Sequence, residues 1–319
     1  MTATPEFVCT GCGAVVPASH PAPFKCPRGD DDDGDHVLKT RFQREWAGDA
    51  DAARALFAGD EPNPFVKYRK LSAMYQGALA RGLSDAQYVE LVKRLDAAVV
   101  KVDGRGFVES PFSPVAALAE PVGLSSGEVW AKNETGAVGG SHKARHLMAI
   151  LIWLEMVAQH DADAARKFGD LAIASCGNAA VGASVVAKAG GRKLQVFVPP
   201  DADPAAVKAI QKHGAEITPC PRERAAAGDP CYLKFRDAVA EGAVPFSVQG
   251  SENGLTIEGG KTVEGGSRYA SHIKGGKTVE QGSPWRSTMS NWRFSGYEAP
   301  MRPRGIPYYR AQPRARSPW

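Results

Sequence analysis

A long apolar run is missing from this chain of 319 residues. The longest, around Ala149–Leu154, falls far short of the roughly 20 residues a membrane helix needs, so no membrane partner is expected. No apolar segment follows Met1, where a polar, cysteine-containing stretch begins at once; secretion is not expected, and a cytoplasmic location is. Cysteine is scarce, six in all, in two sets. Cys9, Cys12 and Cys26 cluster near the start, whereas Cys176, Cys220 and Cys231 are scattered. In a chain this long without a secretory signal, that usage points to metal binding or plain burial rather than a disulfide framework. Leucine is absent from the last 57 residues, which hold two Ile and two Val beside three Trp, six Pro and eight Arg. Such a tail buries too little apolar surface to offset its ordering entropy, and disorder is expected there.

The chain as a whole has the composition of a globular protein, 43% hydrophobic and 23% charged, and is long enough for two domains. From Val263 onward there are ten Lys or Arg against three Glu; the preceding 262 residues carry 29 basic and 32 acidic side chains. The body is mildly acidic and the tail basic. A basic tail with Trp and Tyr invites a nucleic-acid partner, but its composition fits translation of an unintended frame better, and nucleic acid is not the expected partner. Residues 257–267 are echoed at 273–283, two copies where a solenoid needs about three.

Helices are expected over Ala50–Phe57, Phe65–Arg81 and Asp85–Val100, with Ser84 as N-cap of the third and Asp85 in its first turn. After a link containing Pro111 and Pro114, a strand is expected over Val129–Lys132 and a buried helix over Lys143–Gln159. Strands at Leu171–Ala174, Leu194–Val198 and Glu216–Thr218 then alternate with helices at Ala179–Ala189 and Pro204–Lys212. That alternation predicts an α/β fold with a parallel sheet covered by helices on both faces.

Two constellations carry chemistry. Cys9-Thr10-Gly11-Cys12 with Cys26 has the form of a zinc ribbon short of a ligand. His36 is the best fourth candidate and His20 the next, so Cys9, Cys12, Cys26 and His36 form the candidate metal set for a structural zinc. The run Asp30–Asp33 lacks the spaced oxygen pattern of a calcium loop and reads as a solvated loop. The second constellation is Lys132-Asn133-Glu134-Thr135-Gly136, then Ser141-His142-Lys143, then Ser175-Cys176-Gly177-Asn178 between a strand and a helix. Gly139 and Gly140 let the chain turn tightly just before Lys143. Pyridoxal 5'-phosphate needs a lysine amine for its aldehyde, a phosphate cradle, and groups that grip an amino acid. Lys143 supplies the amine. The backbone N–H groups of Ser175, Cys176, Gly177 and Asn178 at a helix N-terminus suit the substrate carboxylate, and Asn178 is placed to donate to the cofactor's phenolic oxygen. Cys176 reads as a small buried thiol rather than a nucleophile. His146 reads as a packing residue, while His142 is open to packing or proton transfer.

Those motifs resemble the β-family (fold type II) of pyridoxal-phosphate-dependent enzymes, which includes threonine synthase, serine/threonine dehydratases and the tryptophan synthase β subunit. The likeness runs from about Ser110 to Thr262. It rests on Lys132-Asn133-Glu134, Thr135-Gly136, Ser141-His142-Lys143 and Ser175–Asn178, with Pro111–Leu118, Val196–Pro199, Lys208 and Gly214-Ala215-Glu216 in order. The N-terminal cysteines leading to Asp35–Leu38 are most similar to threonine-synthase-type members. The resemblance implies two three-layer domains with parallel sheets. It divides the chain into a zinc-ribbon-like segment (1–37), the first part of a large domain (38–164), a small α/β domain (165–245), the return to the large domain (246–262) and a basic tail (263–319). It further implies a lyase acting on an amino acid through a Schiff base at Lys143, threonine synthase-like or, alternatively, a serine/threonine dehydratase, and a homodimer if the chain folds. Family members carry a Gly-rich phosphate loop and a Ser or Thr facing the pyridine nitrogen further on. Here the likeness ends near Gly259–Thr262, so a truncated or frame-disrupted copy with an incomplete large domain and weakened cofactor binding is expected. The competing expectation is a non-catalytic truncated homologue with a zinc-ribbon module that binds a partner through its basic tail.

Overall fold

The computed structural model describes residues 6–29, 35–41, 59–125, 127, 129–222 and 228–263. The expected helix over Ala50–Phe57, the Asp30–Asp33 run and nearly all of the basic tail lie outside the described residues.

Three short strands open the chain: β1 (Glu6–Cys9), β2 (Val15–Pro17) and β3 (Leu38–Arg41). They form an antiparallel sheet in the order β2-β1-β3, with Cys9 opposite Leu38 and Phe7 opposite Val16. The strand just past residue 37 thus pairs with the cysteine-bearing strand. Phe7, Cys9, Val16 and Leu38 point inward and are buried.

The single helix expected over Phe65–Arg81 is broken into a turn at Pro64–Lys67, a 3-10 turn at Arg69–Leu71 and helix α1 (Ala73–Ala80). Ser72 interrupts it with extended backbone (φ −111°, ψ 135°) and accepts from the Met74 amide. The Ala73 amide donates to the Glu258 carboxylate at 2.7 Å, a partner 185 residues away that no local pattern reveals. Helix α2 (Asp85–Asp103) begins at the expected Ser84 cap, where Ser84 and Gln87 exchange side-chain and backbone hydrogen bonds. It runs three residues beyond its expected end to Gly104, whose left-handed φ of 82° stops it.

After the antiparallel ribbon β4 (Phe112–Pro114) and β5 (Trp130–Lys132) comes helix α3 (Lys143–His160). From Leu147 to Leu154 every residue of α3 is wholly excluded from solvent. A helix apolar on all sides belongs in the centre of the fold. Strands β6 (Leu171–Ala174), β7 (Leu194–Val198), β8 (Glu216–Pro219) and β9 (Val244–Pro245) then form an all-parallel sheet in the order β8-β7-β6-β9. Between them run α4 (Asn178–Ala189), α5 (Pro204–Lys212) and α6 (Pro230–Ala240). Both α5 and α6 start with Asp-Pro: Asp203 and Asp229 accept from the amides of the first turn while Pro occupies its opening position. A last helix, α7, covers residues 255–263. This is the parallel α/β fold that the alternation predicts. Among the described residues no helix is long and apolar enough to cross a membrane.

Candidate active site and candidate metal centre

Lys143 is the first residue of α3. The chain reaches it through Gly139 (φ 64°) and Gly140 (φ 74°), a left-handed pair that only glycine adopts without strain. Ser141 is buried and its Oγ accepts from the Lys143 amide at 3.3 Å. Helix α4 crosses this end of α3 in intimate contact. A Cβ added to Gly182 would lie 3.0 Å from the Ala144 nitrogen, and one added to Gly139 would lie 3.3 Å from the Gly182 Cα. Gly182 is about one turn from Asn178 at the N-terminus of α4. The amino ends of α3 and α4 therefore share one region of the molecule. Space there is open, since a Cβ on Gly136, Gly140 or Gly177 would meet nothing within 4 Å.

Ser175, Cys176, Gly177 and Asn178 follow β6 directly, with Gly177 and Asn178 exposed and Ser175 and Cys176 half-buried. Cys176 is thus more accessible than the buried thiol expected of it. Ser175 and Cys176 also line a cleft of about 730 Å³ together with Phe197, Cys220, Ser247 and Gln249. These residues sit at or just past the ends of β6, β7, β8 and β9, so the cleft lies at the carboxyl edge of the parallel sheet, where open α/β sheets bind ligands. Cys220, Cys231, Ser247 and Gln249 were not marked by any motif; they meet Cys176 only because the strands run parallel. Burial, and then Cys220, push the Cys231 thiol up to about 12.

The wall beside Lys143 is polar and interlocked. Arg145, 2% exposed, donates from Nε to Glu134 at 3.0 Å and from Nη2 to the Val108 carbonyl at 2.7 Å. Glu134 also accepts from the Ser110 hydroxyl, while Lys132 Nζ donates to the Ser110 carbonyl at 2.8 Å. The Lys132–Glu134 motif thus anchors α3 through Arg145. Burial lowers the Lys132 pKa, an effect that neighbouring Glu134 opposes. Arg145 Nη1 has no hydrogen-bond partner among the described residues, and Arg145 borders a second cleft of about 220 Å³ with Ser110, Asn133 and Thr135. His142 and His146 stack edge to face at 5.6 Å. His146 is buried and donates from Nδ1 to the Thr256 carbonyl at 2.9 Å, and burial brings its pKa down to about 4. His142 is also lowered, by burial and then by Lys143; both rings are neutral near pH 7.

The four candidate metal ligands converge. Cys9 Sγ, Cys12 Sγ, Cys26 Sγ and a ring nitrogen of His36 all lie within 4.8 Å of one another. His20 stands outside the group and uses its Nδ1 to accept from the Ala22 amide.

A family model described as "Pyridoxal-phosphate dependent enzyme" matches residues 105–264, half of the chain, and the chain belongs to that family. Comparison with curated protein sequences finds no match. Similar solved structures include diaminopropionate ammonia lyase from Escherichia coli (17% identity, 60% of this chain and 49% of that one, TM-score 0.43). They also include threonine deaminase isoform 2 from Solanum lycopersicum (15%, 60% and 47%, 0.39) and serine racemase from Dictyostelium discoideum (20%, 57% and 52%, 0.39). The chain spans about half the length of the solved structures it matches.

Proposed function

We propose that the chain is a pyridoxal-phosphate-dependent lyase acting on an amino acid, threonine synthase-like in type, with a serine/threonine dehydratase as the alternative within the same chemistry. The observation that carries this reading is the close crossing of α4 over the start of α3 at Gly182 and Ala144, which brings the Lys143 end of one helix to the Asn178 end of the other. The donor set suits the aldehyde and ring of the cofactor, with an amine at Lys143, Asn178 at the N-terminus of α4 and unfilled space beside Gly136, Gly140 and Gly177, while the described residues supply no Gly-rich cradle for its phosphate beyond these turns. Bound pyridoxal phosphate supplies the electron sink that acidifies the α-hydrogen of an amino acid. Lys143 would hold the aldehyde end of the group, and its Nζ would be the base for that α-hydrogen. The amides of Cys176, Gly177 and Asn178 hold the substrate carboxylate, helped by the α4 dipole. The Asn178 side chain would steady the cofactor's phenolic oxygen, and Ser175 would border the substrate. In this reading the segments 1–37, 38–164, 165–245 and 246–262 are the ribbon, the first part of the large domain, the small domain and the return. The pairing of a small-molecule substrate with a homodimeric assembly belongs to the same proposal.

Incubation of the purified chain with pyridoxal phosphate, reduction with borohydride and peptide mass mapping test it. One adduct per chain on the Lys143 peptide, with a yellow absorption band that Lys143→Ala abolishes, is the expected outcome. Adducts scattered over surface lysines, or no band, would overturn it. A second reading, a non-catalytic homologue, is favoured by one observation: Lys143 lines neither of the two clefts described above. It predicts no band and no turnover of phosphohomoserine, serine or threonine.

A further inference from the structure

We propose that Cys9, Cys12, Cys26 and His36 bind one zinc ion in a closed tetrahedral site that staples the N-terminal sheet onto α1, α3 and α7. Cys12 Sγ and Cys26 Sγ are 3.6 Å apart, and His36 Nδ1 is 3.4 Å from Cys26 Sγ. A tetrahedron with metal–sulfur bonds of about 2.3 Å and metal–nitrogen bonds of about 2.0 Å has edges of roughly 3.5–3.8 Å. Both edges at Cys26 are therefore already close to ligand spacing, and all four donors lie within 4.8 Å of one another. Three sulfurs and an imidazole select a borderline-soft ion without geometric preference, and four protein ligands leave no open position for chemistry. Binding converts three thiols to thiolates and releases their protons to solvent.

The backbone is shaped for this convergence. Gly13, with φ 71°, closes the turn after Cys12 and donates its amide to the Cys9 carbonyl. The Cys12 amide donates to Cys9 Sγ at 3.5 Å and the Arg28 amide to Cys26 Sγ at 3.4 Å, contacts that hold the two sulfurs in place. His36 packs between two glycines. A Cβ on Gly29 would lie 2.8 Å from the His36 Cβ, and one on Gly11 3.1 Å from its Cδ2. A side chain at either place would crowd His36.

The segment between Cys12 and Cys26 clasps the body of the molecule. Trp153 of α3 donates to the Pro21 carbonyl at 2.8 Å and meets the Phe7 ring edge to face at 5.7 Å. Arg81, just after α1, donates to the Ala18, Ser19 and His20 carbonyls and lies 4.9 Å over the Trp153 ring. The Gly254 amide donates to the Phe24 carbonyl at 2.8 Å, and Lys25 pairs with Glu252 at 3.1 Å. Strands of three or four residues bury too little surface to hold this shape alone, so an ion at the hub fixes the clasp.

Zinc analysis of the full chain purified without added metal, followed by cobalt exchange, decides the matter and does not depend on Lys143. One metal per chain is expected, with the visible and near-ultraviolet bands of tetrahedral thiolate-bound cobalt. Cys12→Ser, at an exposed position, should lose those bands, whereas Cys220→Ser should keep them. Chelation should lower the melting temperature of the parent chain and leave that of Cys12→Ser unchanged. Fewer than about half a metal per chain after zinc loading, octahedral cobalt bands, or unchanged bands in Cys12→Ser would overturn the proposal.

Discussion

At the scale of single residues, His146 couples stability to pH. Burial depresses its pKa to about 4 from an ordinary 6.5, against the opposing pull of the Thr256 carbonyl and with help from His142, Lys143 and Arg145. The unfolded chain takes up a proton near pH 6.5 that the folded chain refuses until about pH 4. The stability this neutral ring contributes is complete above pH 6.5 and is lost as pH falls through that window, on the order of 3 kcal/mol in all. Urea unfolding at pH 7.5 and pH 5 should show a falling midpoint. His146→Gln, which keeps a donor for Thr256, should flatten the dependence, and an equal fall in both proteins would assign it to other groups.

At the scale of elements, the tightest joint is between α7 and α3. A Cβ on Gly259 would lie 2.1 Å from the Arg145 carbonyl oxygen and 2.6 Å from the His146 Cα. Backbone cannot swing aside as a side chain does, so Gly259→Ala should cost about 3 kcal/mol or more, read as a lowered denaturation midpoint. Gly59→Ala, in open space, serves as the neutral comparison. This joint explains what the sequence could and could not reveal. Strands β6 and β7 and helix α5 were legible to the residue, because short apolar runs between Gly, Pro and Asp leave little freedom. The Ser84 cap was equally plain. The break at Ser72 was hidden because the amide of the next residue, Ala73, is satisfied by Glu258, whose carboxylate also accepts from Thr40 and Lys261. Helix α6 announces itself only through Asp229-Pro230, and the cleft cysteines through nothing local. At the candidate site, Lys143 and the Ser175–Asn178 turn were readable as motifs, but the Arg145–Glu134–Ser110 wall was not, since each contact spans a loop.

At the scale of the whole molecule, α3 is the axle. Its middle residues are fully enclosed, and it touches the N-terminal sheet through Trp153, α4 through Ala144 and α7 through His146. No partial opening frees such a helix without dismantling its neighbours. Hydrogen exchange should therefore find the amides of Ile150–Leu154 among the slowest of the described residues, releasing only with global unfolding, while α5, buried mainly at Ile210, exchanges early. Comparable rates in the two helices would show that α3 is not central to stability.

The parallel sheet also guards its own margins. On one flank, Val244 and Phe246 donate inward to the Asp170 and Ala172 carbonyls, which turns the nitrogen of Pro245 outward. On the other, Cys220 donates inward to Val198, which turns Pro219 outward. Proline has no N–H to offer, so a stray strand approaching the exposed Pro219 flank finds a missing rung, while the Val244–Pro245 flank is buried, and fibre-like stacking through this sheet is discouraged.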